Sequence, residues 1–175
     1  METKTHSNIN KPYLVFVILL MFVLPMASIL VEANTTILHI CKTESASNFK
    51  NLFLIDLTGK WFLFWAIGLR LFTAGFRQVL KPGFTAETIF HIKNTESHII
   101  VKELGFANIC TGAIAIISLF IPSWRAASAF AGGLFMGIAG VNHAIKKPAG
   151  LNEWIAMISD IFASLIMFLY LIFQL

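Results

Sequence analysis

Trp154 to Phe173 reads WIAMISDIFASLIMFLYLIF, twenty residues with a single charged group, Asp160, near the middle of the first half. A helix rises about 1.5 Å per residue, so about 20 apolar residues cross the hydrocarbon of a bilayer. The run is therefore a membrane span, and its one carboxylate needs a partner inside the membrane. Just ahead of it, Lys146-Lys147-Pro148-Ala149-Gly150 breaks the chain, Asn152 is placed to cap the new helix, and Glu153 sits in its first turn.

Working outward, four more segments read the same way. The stretch 126–145 is apolar and carries Ala129, Gly133 and Gly137 at every fourth position, flanked by Ser128, Gly132 and Gly140. Such a face lets another helix approach closely, within the chain or across a dimer. Pro122-Ser123-Trp124-Arg125 is long enough only for a tight hairpin, which makes 104–121 an antiparallel neighbour of 126–145. The span 61–80 has Trp61 and Trp65 at one interface, Arg77 and Lys81 at the other, and Arg70 inside. Residues 48–56 read as a short interfacial helix leading into it.

Between 81 and 102 lies the longest polar loop, with Pro82-Gly83 as its turn. Thr85 is placed to cap a short helix there, with Glu87 in its first turn. Phe84, Ile89, Phe90 and Ile92 make the segment 84–92 amphipathic, suited to lie on the membrane surface. The first run, 13–31, is preceded by Lys4 and Lys11 and contains Pro25. It has the layout of a signal peptide with Val31-Glu32-Ala33 as a cleavage site, or of a retained span kinked at the proline. Its length favours the span. Asn34-Thr35-Thr36 matches the glycosylation sequon, a match that is common by chance.

Composition agrees. Of 175 residues, 57% are hydrophobic and 13% charged, about half the charged share of a soluble domain. Seventeen Phe suit contact with lipid. The mean hydropathy is +0.78 and the pI about 9.2. The basic balance does not point to nucleic acid, because Lys and Arg gather in loops between apolar runs and no basic stripe forms. Cys41 and Cys110 have neither metal-ligand spacing nor the numbers for a disulfide framework. No nucleophile–base arrangement, phosphate loop or metal motif is visible, and no cofactor is expected; for a haem, only His143 is well placed. The expected fold is an all-α polytopic membrane bundle in one domain, a four-helix core plus an N-terminal span.

The intramembrane polar residues converge in depth. Arg70 lies seven residues in from Arg77, roughly 10 Å along a helix. Asn108 lies five residues beyond Glu103, and Asp160 six beyond Trp154; Asn142 and His143 precede Lys146 by one turn. All enter from one side and would share a layer in one half of the bilayer. The bland reading is an Arg–Asp pair with Asn neighbours that holds helices in register. The sharper one is a functional cluster, the default for ionisable groups inside a membrane.

Gly68-Leu69-Arg70-Leu71-Phe72 with Arg77-Gln78, Glu103 to Asn108, Gly140-Val141-Asn142-His143, and Glu153 to Asp160 resemble an uncharacterised family of small bacterial membrane proteins. That family is distantly similar to the DoxX-like four-helix group. The resemblance covers roughly Trp61 to the C-terminus and implies a four-helix bundle with the first span as an addition. Some DoxX-like members are linked to quinone or thiosulfate oxidation, but no redox residue of theirs matches a position here.

Three functions are compatible with these residues. The leading one is a non-enzymatic inner-membrane protein that serves an assembly, regulates it, or binds a small lipophilic ligand. The others are a subunit of a quinone-linked redox system, and a small transporter or proton pathway through Arg70, His143 and Asp160. The expected partners are the lipid bilayer and a second copy or another membrane protein. With five spans, Lys4, Lys11, Arg77, Lys81, Lys93, Lys102, Lys146 and Lys147 fall on one side; Lys42, Lys50, Lys60 and Arg125 fall on the other. The positive-inside rule then puts the N-terminus in the cytoplasm and the C-terminus in the periplasm. A reporter fused after Leu175 is expected to read as periplasmic, and a cytoplasmic signal would overturn the span count or the orientation.

Overall fold

The computed structural model describes residues 10–40, 47–90, 92–148 and 150–174, with only the backbone for 37–40, 47–52, 88 and 89. Lys4, Cys41 and Lys42 lie outside the described residues. Among those described there is no strand, and the chain is an all-α helical membrane bundle.

Helix α1 runs over 11–40 as Lys11–Ile18, a π-helical turn Leu19–Val23, and Leu24–Ile40. The π turn answers the proline. Pro25 has no N–H for the carbonyl four residues back, and the Leu24 N–H reaches back five residues to Leu19. Helix α2 runs over 47–80 as Ser47–Phe62, a π-helical stretch Leu63–Leu69, and Arg70–Leu80. No separate interfacial helix forms at 48–56, because those residues continue straight into α2. A short helical segment, α3, follows at 82–89, then α4 (Ser97–Ile117), α5 (Arg125–Lys146) and α6 (Leu151–Ile172).

Among the described residues four helices are long and apolar enough to cross a membrane: Lys11–Thr36, Ser97–Ile117, Pro122–Lys146 and Leu151–Ile172. The fifth long helix, α2, is not among them, since it carries Asp56, Lys60, Arg70 and Arg77. It can be the most charged because it lies innermost, touching α1, α4, α5 and α6. Leu63, Ala66 and Ile67 on its π-helical stretch are fully covered.

The five long helices alternate in direction, and side chains at their ends fix this. At one end the Asn10 N–H donates to the Asn152 carboxamide oxygen (3.1 Å), tying the start of α1 to the start of α6. Asn152 thus serves a neighbouring helix. Its own helix is capped by Gly150, whose carbonyl accepts from the N–H groups of Glu153 and Trp154. At the other end Lys60 and Trp61 of α2 donate to the Glu32 carboxylate on α1, the Trp61 bond measuring 2.7 Å. There Asp56 also accepts from Gln174 at 3.2 Å and lies 3.5 Å from Arg125.

Two pairs of helices pack most closely, α2 with α4 and α5 with α6. The hairpin neighbours α4 and α5 share a tight connection but much less surface. Glycine explains this choice. Gly68 and Gly75 on α2 meet Gly112 and Gly105 on α4, a seven-residue spacing on both helices. A Cβ on Gly112 would lie 2.7 Å from the Gly68 carbonyl oxygen, so only glycine permits that approach. On α5, Gly133 lies against Met167 and Gly137 against Ser164, while Ala129 is fully buried. The small-residue face therefore packs inside the monomer.

A Cβ at position 133 would sit 2.8 Å from the Met167 Cβ. Gly133→Leu is expected to cost about 1–3 kcal/mol or more by overpacking. It should lower the melting temperature without changing the elution position, whereas Leu134→Ala, on the exposed face of the same turn, should leave the melting curve nearly unchanged. Dissociation of an oligomer by Gly133→Leu would place this face between copies instead.

Candidate functional site

Arg70 begins the last third of α2 and is buried, with 8% of its surface exposed. Its Nη2 donates to Asp160 Oδ1 at 2.5 Å and to Ser159 Oγ at 2.8 Å, both on α6. Its Nη1 faces the Met21 sulfur of α1 at 3.5 Å and the Met136 sulfur of α5 at 4.0 Å. One guanidinium thus joins four helices. Asp160 is equally buried, and the ion pair is charge-assisted and hydrogen-bonded on both partners. Ser159 in turn donates to the Ala156 carbonyl. The sulfur neighbours suit the site, since thioethers are soft, polarisable and weak acceptors.

Beyond Arg70 the helices part. Helix α5 touches the π-helical stretch of α2 but makes no comparable contact with the part of α2 that follows. The gap is a cavity of about 660 Å³, within the size range of small-molecule sites. Its wall is mostly apolar, with Val17 of α1, Leu71 of α2, and Phe135, Met136 and Ile138 of α5. Thr73 on α2 and Ile138 and Asn142 on α5 are exposed along it, so it is open on the flank between these helices. Helix α3 borders the cavity at the end away from Arg70. Thr85 is buried there and lines the cavity with Phe84 and Phe90. The helical turn starts at Pro82 with Lys81 before it, so Thr85 packs inward instead of capping. Ala86 beside it is fully buried, so the amphipathic segment is partly tucked into the bundle.

The cavity wall carries Arg70, Arg77, Asn108, Asn142, His143 and Asp160. Glu103 is exposed on α4 and does not reach the cavity. Asn108 is buried and donates to the Gln78 side-chain oxygen at 2.8 Å, a bond between α4 and α2 separate from the Arg70 pair. Arg77 is exposed, and its guanidinium lies over the Phe84 ring, 3.6 Å from the centroid. His143 is half-buried in the last turn of α5.

Sequence reasoning missed Gln78, Ser159, Tyr13 and the two methionines as parts of this region. Gln78 carried a signal: it lies two turns from Arg70 on the same helical face. The methionines carried none, because nothing in an apolar run marks which member will meet a guanidinium. Among the described residues no group of three His, Cys, Asp or Glu side chains is placed to hold a metal ion. Cys110 is a free, exposed thiol on α4.

A family model matches residues 11–175, nearly the whole chain. The chain belongs to DUF6790, a family of unknown function. The match includes α1, which the four-helix likeness treats as an addition. In the structure α1 is likewise integral: it supplies Met21 to Arg70 and Val17 to the cavity. Neither the curated proteins nor the solved structures compared with the chain gave a match.

Removing one partner of a buried ion pair costs about 3–5 kcal/mol, because the other charge stays buried. Arg70→Leu and Asp160→Leu should therefore each lower the folded yield in detergent sharply, and the double variant should lose much less than the sum. Additive losses in that cycle would show that the two groups are not coupled.

Proposed function

We propose that this integral membrane protein is a non-enzymatic binding component that takes a small lipophilic ligand into the cavity between its two helix pairs. The observation that carries this reading is the cavity itself. It is of ligand size, apolar over most of its wall, polar towards one end, and open on the flank of the bundle. A ligand dissolved in the bilayer could enter through that flank without crossing water. The Arg70–Asp160 pair serves this reading as the closed end of the cavity, where both charges are already satisfied. In this reading the basic helix ends near Arg77, Lys81, Lys146 and Lys147 face the cytoplasm of a cell whose inner membrane holds the protein. The remaining exposed apolar faces meet lipid or a membrane partner.

Photoactivatable analogues of hexadecanol and palmitic acid, with a mid-chain diazirine, test the reading in lipid nanodiscs. At least one should label peptides around Leu71–Ala74 and Phe135–Ala139 saturably. Ala139→Phe, which fills the cavity, should reduce that labelling by about tenfold, the scale of one lost apolar contact site of roughly 1–2 kcal/mol. Labelling spread evenly over the lipid-facing surface, unaffected by Ala139→Phe, would sink it.

A further inference from the structure

Resting on the reading above, we infer that the ligand is an amphiphile with an anionic head, held at the cavity mouth by Arg77 and His143 with its apolar tail along Leu71, Phe135 and Ile138. The argument is a balance of charge and placement. Among the described residues the cavity wall holds two guanidinium groups, Arg70 and Arg77, and one carboxylate, Asp160. That carboxylate is bonded to Arg70, which also has Ser159. Arg77 is left with an aromatic ring and, among the ion pairs of described residues, no carboxylate. A guanidinium at the edge of a low-dielectric cavity favours an anion, and its planar fork matches carboxylate and phosphate.

The neighbourhood is built for such a head group. Stacking on Phe84 holds the Arg77 plane at the mouth instead of letting the side chain extend away. His143 and Asn142, on the facing helix, add donors on the same wall. Gln78 is engaged by Asn108 and Thr73 by the Leu69 carbonyl, so Arg77, His143 and Asn142, with the hydroxyls of Tyr13 and Thr85, are the polar side chains on the wall left to meet a ligand. Deeper in, Leu71, Val17, Phe135 and Met136 supply apolar surface towards the satisfied Arg70–Asp160 pair. A positive rim over an apolar shaft is complementary to a negative head on an apolar tail. It penalises a cationic head directly.

Four diazirine-bearing amphiphiles of equal chain length separate the possibilities in nanodiscs of neutral lipid: palmitic acid, hexadecyl phosphate, hexadecanol and hexadecylamine. Cavity labelling is expected to be strongest for one of the two anions, by about tenfold over the alcohol, the scale of one charge-assisted hydrogen bond. Which anion leads names the head group as carboxylate or phosphate. Arg77→Gln should remove that preference while leaving labelling by the alcohol in place. Lys93→Gln, an exposed cation off the cavity wall, should keep it. Equal cavity labelling by all four, or an anion preference that survives Arg77→Gln, overturns the inference and leaves lipophile binding standing. Absence of cavity labelling by all four overturns both.

Discussion

A guanidinium inside a membrane helix must be satisfied by its own protein, and the arrangement of this bundle follows from where Arg70 finds its partners. Hydrocarbon chains supply no acceptor, and Arg70 is a full two turns from Arg77 at the basic end of its helix. It takes Asp160 and Ser159 from α6, and the sulfurs of Met21 and Met136 line the rest of its surroundings. That requirement places α2 in the interior, because only a helix surrounded by others can offer four neighbours to one side chain. It also accounts for the unequal hydropathy of the helices. The outer four meet the criteria for crossing a membrane alone, and the inner one does not.

Small residues then decide how the remaining surfaces meet. Glycines spaced by seven on α2 and α4 draw those helices together, and the glycine face of α5 does the same with α6. Each pair is close-packed along its length. The pairs are held to one another from the Asp56 end, through Gln174 and Arg125, up to the level of Arg70. Beyond Arg70 the pairs make no comparable contact, and Phe84, Phe90 and Phe135 line the space between them. The cavity is what results when two tight pairs are joined up to the level of Arg70 and diverge beyond it. Its polarity gradient has the same origin, since the pinning pair is neutral as a unit and the unmatched arginine lies a helical stretch away.

What the sequence by itself determined is the class of fold, and it set an expected level along its helix for each polar group. Apolar runs of span length, separated by short basic loops, leave no alternative to membrane helices. Depth along a helix is simply residue count, so Arg70, Asn108, Asn142, His143 and Asp160 could be assigned to one layer before any packing was known. Which of them touch was decided only by tertiary structure. Azimuth depends on local winding, and π-helical stretches on α1 and α2 rotate every side chain that follows them by an amount that no 3.6-residue period predicts. In the bundle Asn108 bonds Gln78 rather than joining the arginine, Glu103 faces outward, and two methionines indistinguishable from their neighbours in an apolar run lie against Arg70. Likewise Asn152 has the position of a cap, yet it accepts a bond from α1, because the partner nearest in space was 142 residues away in sequence. Residue spacing encodes depth directly, whereas the identity of a neighbour across a helix interface depends on every rotation and close approach in the bundle at once.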